Sequence, residues 1–165
     1  MQSDERNFEV TQWVDASVDD VFRAFTDANR LTGWWGPEGY NVTDVTSDPR
    51  PGGELRLVMA GPDETGQQVT GTYREVSPPS HLVVEISAVA PDGSPLVTAL
   101  LTIDLAQANG GTEIRLAGRG RAFTPQAARD MLAGMQEGWT SSLICLERFL
   151  EESHGSTIKA RHETA

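Results

Sequence analysis

Few side chains in this sequence suit acid–base, nucleophilic or metal chemistry. The three histidines, His81, His154 and His162, lie far apart and form no metal-ligand spacing with the single cysteine, Cys145. Ser141–Ser142 falls within a helical pattern and lacks the glycine-flanked turn that presents a nucleophilic serine. The sequence therefore predicts no metal, no cofactor and no catalytic residue.

Tyr73 is the polar side chain of most interest, because alternation along its strand places it on the inward face. Its hydroxyl could hydrogen-bond a ligand carbonyl there, or it could bond to the backbone as part of an ordinary core. Arg56 and Glu85 fall on predicted outward faces, unless a bulge reverses the strand. Tyr73 is thus the one ionisable group we would name for chemistry in an interior pocket.

Aromatic and methionine side chains form a second set of candidates. Trp34–Trp35 precede Gly36–Pro37, and Trp139 and Met135 share a helical stripe with Leu143. The tryptophan pair could cover an apolar ligand at a pocket rim, or it could simply pack where a helix ends. The helical residues could line a pocket or fill a core, since both need the same residue types.

The apolar spacing predicts a strand, two short helices, six further strands and one long helix. Ser17 and Asp27 are predicted to cap the two short helices, the second ending near Gly33. Strands are predicted over 8–14, 40–46, 54–60, 68–76, 81–90, 96–106 and 112–118, with a hairpin loop over 61–66. The last helix is predicted to open at Thr124–Pro125 and to end where polar residues begin at Glu151.

Alternation also predicts which side chains face inward. The inward set is Leu55, Leu57, Met59, Val69, Gly71, Tyr73, Leu82, Val84, Ile86, Val97, Ala99, Leu101, Ile103, Ile114 and Leu116. The helical stripe that would cover this set is Leu132, Met135, Trp139, Leu143, Leu146 and Leu150. For the other apolar positions, such as Val83 and Leu100, the pattern does not separate inner from outer faces.

Length and composition bound the class of protein. The 165 residues suit one domain, predicted over 8–152, with flexible tails at 1–7 and 153–165. The net charge of −11 would repel phosphate backbones, so we expect no nucleic-acid partner. No apolar run is long enough to span a membrane and no signal region is recognisable, so we expect a cytoplasmic protein without a membrane partner.

Several short motifs occur in an order that resembles a known family. They are Val21–Phe22, Phe25–Thr26–Asp27, Trp34–Trp35–Gly36–Pro37, Pro51–Gly52–Gly53, the segment 71–76, Pro78–Pro79, Gly111–Thr112, and Gly138–Trp139 with Ser142–Leu143. Together they resemble the START-like (SRPBCC) superfamily, and within it the branch named for the activator of heat-shock-protein ATPase. The resemblance implies an α+β helix-grip fold, in which a curved antiparallel sheet wraps around a long C-terminal helix.

In that fold a pocket lies between the sheet and the C-terminal helix. The resemblance, together with the inward faces, implies these ligand-binding residues: Trp34, Trp35, Leu57, Met59, Tyr73, Val84, Leu101, Met135, Trp139 and Leu143. The expected partner is a small apolar or aromatic molecule.

Three functions are compatible with this resemblance, because a fold does not determine an activity. Binding of a small apolar ligand is favoured. An enzyme similar to polyketide cyclases and aromatases is the alternative, and it would need ionisable groups facing the pocket. Regulation of a chaperone by protein contact is the third and least favoured. The sequence leaves open whether the protein is a monomer or a homodimer.

Overall fold

The computed structural model describes residues 5–36, 39–61, 66–127, 130 and 132–164, with the backbone alone described for 127 and 153–164. Residues 1–4 of the predicted tail, Pro37 of the predicted helix stop and 62–65 of the predicted hairpin loop lie outside this description. The elements in chain order are β1 (Glu5–Val14), α1 (Val18–Thr26), α2 (Ala28–Leu31), β2 (Asn41–Ser47), β3 (Glu54–Ala60), β4 (Gly66–Ser77), β5 (His81–Val89), β6 (Pro95–Ala108), β7 (Gly111–Ala122), α3 (Pro125–Ala127) and α4 (Met135–Thr164).

The seven strands form one antiparallel sheet in the order β1-β7-β6-β5-β4-β3-β2. Strands β2 to β7 follow one another as a meander, and β1 pairs with β7 from Glu5↔Arg121 to Val14↔Thr112. Residues 5–7 are thus paired in β1, and the strand begins three residues before its predicted start. The predicted α+β helix-grip fold, with a curved sheet against a C-terminal helix, is confirmed.

Local hydrogen bonds explain where the short helices and the last hairpin begin and end. The Ser17 side chain accepts from the Asp20 amide at 3.1 Å, and the Asp27 side chain accepts from the Asn29 amide at 2.8 Å. Both predicted N-caps are therefore present. Asn109 and Gly110 have φ of 51° and 81°, the left-handed pair of a tight hairpin turn, and they connect β6 to β7.

The predicted inward faces form the core. The predicted side chains on β3 to β7 are buried there, apart from the half-buried Met59 and Gly71. Arg56 and Glu85 lie outward as predicted, even though a bulge interrupts the β4–β5 register between Tyr73 and Glu75. Val83, whose side the pattern did not settle, is 7% exposed, whereas Leu100 is 37% exposed.

The last helix differs from the prediction at both ends. Instead of one helix from Thr124, the chain forms the three-residue α3, and then a turn at Ala133–Gly134 leads into α4. Leu132, which was assigned to the stripe of the long helix, instead joins Val97 and Ala122 in a small separate cluster over the end of β6 and β7. The α4 backbone continues past Glu151 to Thr164.

Within the part of the chain described here, no helix combines the length and the apolar character needed to cross a membrane.

Candidate functional site

A cavity of about 390 Å³ lies between the sheet and the start of α4, and it is partly open to solvent. Its described lining is Trp35, Gly36, Tyr40, Met59, Gln67, Val69, Ile86, Ala88, Val97, Asp130, Gly134, Met135, Gly138, Trp139 and Ser142. A hollow of about 740 Å³ near Asn7, Glu9 and Arg119 is larger but more open. Enclosure, together with apolar walls, makes the smaller cavity the better candidate for a binding site.

A chain of aromatic rings positions one wall of the cavity. Phe25 and Trp34 meet edge to face with ring centroids 5.1 Å apart, and Trp34 and Trp35 follow at 5.7 Å. Trp35 meets Trp139 of α4 edge to face at 5.1 Å. The indole N–H of Trp34 donates to the Ala24 carbonyl at 2.9 Å, which fixes the ring that supports Trp35. Helix α1 and the turn after α2 thereby hold Trp35 against α4.

Glycine allows the chain to turn beside this wall. Gly36 has φ of 98°, in the left-handed region that other residues avoid. A Cβ placed there would meet Met59 Cε at 3.2 Å and Tyr40 Cβ at 3.3 Å. A side chain at residue 36 would therefore strain the turn that brings Trp35, Tyr40 and Met59 to one side of the cavity.

Four of the ten predicted ligand-binding residues line the cavity: Trp35, Met59, Met135 and Trp139. The other six are not part of its described lining; Trp34, Leu57, Tyr73, Val84, Leu101 and Leu143 are buried in the core cluster. Contact with a ligand remains a prediction for all ten.

Other lining residues were not singled out from the sequence. Val69, Ile86 and Val97 belong to the predicted inward set, and Gln67 shares a strand face with Val69, so alternation could have identified it. Asp130 had no such signal, because it lies in the stretch that was assigned to one long helix.

Tyr73 lies away from the cavity. Its hydroxyl and the Ser47 Oγ are 2.7 Å apart, and Ser47 Oγ donates to the Thr26 carbonyl at 2.6 Å. Burial raises the pKa of Tyr73, and its hydrogen bond with Ser47 opposes this only in part. The hydroxyl therefore bonds to a serine side chain and not to the backbone. Tyr73, the ionisable group named for the cyclase-like hypothesis, is not part of the described lining of the cavity.

His81 belongs to an acidic cluster on the outside of the sheet. Its Nδ1 lies 2.6 Å from Asp104 Oδ1, and its Nε2 lies 3.3 Å from Glu75 Oε1. The hydrogen bond with Asp104 is the main reason that the pKa of His81 is raised. Among the residues whose side chains are described, no three His, Cys, Asp or Glu residues are grouped closely enough to hold a metal ion.

Comparison with known proteins gives the family. The model of the family described as Activator of Hsp90 ATPase homolog 1-like protein matches residues 15–151. No curated protein sequence matches the chain.

Solved structures share the fold. A protein of Nitrosomonas europaea is 26% identical over 94% of this chain and 99% of its own, with a TM-score of 0.71. One from Rhodobacter sphaeroides is 25% identical over 88% of this chain and 93% of its own, with a TM-score of 0.71. The AHSA1 protein from Silicibacter pomeroyi is 23% identical over 90% of this chain and 100% of its own, with a TM-score of 0.73, and shows the fold alone. Because the family model spans most of its length, the chain belongs to the Activator of Hsp90 ATPase homolog 1-like family, within the START-like (SRPBCC) superfamily.

Proposed function

We propose that this protein binds a small, largely apolar molecule with aromatic character in the cavity between the sheet and α4. The observation that carries the proposal is the cavity itself, about 390 Å³ with Trp35, Trp139, Met59 and Met135 in its walls. Ligand pockets typically have volumes of roughly 300 to 1,000 Å³ and are mostly apolar with a few polar groups. The cavity lies at the lower end of this range, which favours a ligand of one or two rings.

The side chains in the walls suit such a ligand for two different reasons. Trp35 and Trp139 are held edge to face, so they offer flat surfaces without further loss of conformational freedom. Met59 and Met135 are flexible and polarisable, and they can adjust to the outline of the ligand. This combination favours a planar, apolar ligand and tolerates some variation in its outline.

A native mass spectrum of the purified protein, beside a denaturing one, tests the proposal directly. We expect an additional mass that disappears on denaturation, and its value gives the size of the ligand. The same spectrum reports whether the protein is a monomer or a dimer. If the protein carries no additional mass, the test continues by calorimetric titration with naphthalene derivatives.

A pair of variants distinguishes the cavity from adventitious binding elsewhere. Ala88 lines the cavity, whereas Ala106 lies on an exposed position of β6. Ala88→Phe fills part of the cavity and should abolish binding, while Ala106→Phe adds the same ring outside and should leave binding unchanged. Circular dichroism would show that both variants are folded. Equal binding by the two variants, or no binding by the wild type to any probe, would refute the proposed function.

A further inference from the structure

Two polar side chains of the described lining, Gln67 and Ser142, already donate their protons to backbone carbonyls of the protein. Gln67 Nε2 donates to the carbonyls of Gln68 at 3.0 Å and Val89 at 2.7 Å, which uses both protons of the amide. Ser142 Oγ donates to the Gly138 carbonyl at 2.9 Å. What these two side chains retain is acceptor capacity, on Gln67 Oε1 and on the lone pairs of Ser142 Oγ.

The charged group of the described lining is also an acceptor. Asp130 lies in the lining, and one of its carboxylate oxygens accepts a hydrogen bond from Gln126 Nε2. A carboxylate offers about four acceptor positions in all, and this bond uses one of them. The described lining, to which residues 128, 129 and 131 do not belong, contains no Lys, Arg or His.

Three aromatic rings share the lining with Asp130: Trp35, Tyr40 and Trp139. The face of such a ring attracts a cation, and rings grouped around a pocket are a known way to bind an ammonium group. The donors that remain in the described lining are neutral, namely the Tyr40 hydroxyl and the indole N–H groups. They could not offset the repulsion between Asp130 and a ligand carboxylate.

Resting on the ligand-binding function proposed above, we propose that the ligand of this cavity is a cationic amine: an apolar or aromatic body with a protonated nitrogen that binds Asp130 and the aromatic rings of the lining. Its N–H groups supply the donors for which Asp130, Gln67 and Ser142 offer acceptors. A fatty acid or other carboxylate would bring a negative charge and further acceptors to the same groups, so it is disfavoured. The net charge of −11 attracts the same class of ligand over a longer range.

Three probes with one ring system and different charges test this inference by calorimetry at neutral pH. They are naphthylmethylamine, which is cationic, naphthylmethanol, which is neutral, and naphthoate, which is anionic. We expect the amine to bind about tenfold more tightly than the alcohol, as a charge-assisted hydrogen bond with cation–π contact allows, and naphthoate to bind most weakly.

Two variants separate a local effect of Asp130 from the general attraction of a negative protein. Asp130→Asn and Glu137→Gln each remove one negative charge from exposed positions, but Glu137 is not part of the cavity lining. We expect Asp130→Asn to lose most of the preference for the amine, and Glu137→Gln to retain it. The alcohol should bind both variants as it binds the wild type.

The outcomes distinguish this inference from the function on which it rests. If the alcohol or naphthoate binds the wild type as tightly as the amine, the cationic ligand is refuted while binding in the cavity stands. A preference for the amine that is equal in the two variants refutes the assignment to Asp130. If none of the three probes binds, both this inference and the proposed function are contradicted.

Discussion

The hydroxyl of Tyr73 is part of a short buried chain of hydrogen bonds. Ser47 has one hydroxyl proton, which it donates to the Thr26 carbonyl at 2.6 Å. Tyr73 must therefore be the donor in the 2.7 Å bond to Ser47 Oγ. The chain ties β4 to β2 and to the end of α1, and it satisfies a phenol in a place where water has little access.

Replacing Tyr73 by Phe should lower the stability of the protein. The variant loses one buried hydrogen bond, and we expect the free energy of unfolding to fall by about 1 kcal/mol. Urea unfolding measures this change. Tyr40→Phe is the matched control, since Tyr40 is 42% exposed, and its free energy of unfolding should stay within about 0.5 kcal/mol of the wild type.

The direction of the pKa shift gives the same variant a second readout. Because the pKa of Tyr73 is raised by folding, the unfolded chain loses this proton first as the pH rises above about 10. The contribution of Tyr73 to the free energy of unfolding is complete below that pH and is lost as the pH rises towards the folded-state pKa. Wild-type stability should therefore fall more steeply above pH 10 than that of Tyr73→Phe. Parallel slopes would contradict the burial of an un-ionised phenol.

Part of the candidate site follows from periodicity and part does not. Met59 is marked by strand alternation, and Met135 and Trp139 by helical spacing, because each repeats with the period of its element. Periodicity could not separate cavity-lining from fully packed side chains such as Leu57 and Leu101, since both face inward. That difference depends on the distance between sheet and helix, which is a tertiary property.

At the scale of elements, the turn after α2 and helix α4 pack closely through a glycine. A Cβ placed on Gly33 would overlap the Phe149 ring. This contact lies one residue before the Trp34–Trp35 pair, so it helps to set how near the pair comes to α4. Close approach at Gly33 is thus part of what shapes the cavity.

Gly33→Ala should destabilise the protein through this contact. Forcing a methyl group into a packed interface typically costs about 1 to 3 kcal/mol. Adding Phe149→Leu to this variant should relieve the overlap. The free energy of unfolding of the double variant should therefore fall by about 1 kcal/mol less than the sum of the two single losses. Gly66→Ala serves as control, because its Cβ would make ordinary contact with Val58 Cγ1 at 3.4 Å. Urea unfolding of all four variants measures the coupling, and additive losses would show that the two residues do not interact.

The strands were predicted closely because their turns carry strong chemical signals. Pro51–Gly52–Gly53 and Asn109–Gly110 each end one strand and begin another, and alternation between them needs no tertiary information. The break before α4 could not be seen in the same way. Leu132 and Met135 keep helical spacing across it, and both pack against Val97 and Ala122, so periodicity does not show the turn at Ala133–Gly134.

At the scale of the whole molecule, charge is the dominant property of the surface. The chain has 24 acidic and 13 basic residues, a net charge of −11. The ion pairs that the described residues form, such as Arg56–Glu54 at 2.7 Å, lie on exposed side chains. Exposed pairs contribute little, about 0 to 1 kcal/mol each, so the repulsion among the remaining acidic groups should outweigh them.

Added salt should therefore stabilise the protein. Raising NaCl from about 20 mM to about 200 mM shortens the Debye length from about 20 Å to about 7 Å, which screens repulsion between distant carboxylates. We expect the midpoint of urea unfolding to rise over this interval and then to level off. KCl at the same ionic strength should give the same rise, because screening does not depend on the identity of the cation. A midpoint that falls with salt would mean that local ion pairs contribute more to stability than the repulsion removes, for example Arg74–Glu85 and Arg56–Glu54. The arrangement of charges would then favour the folded state despite the net charge.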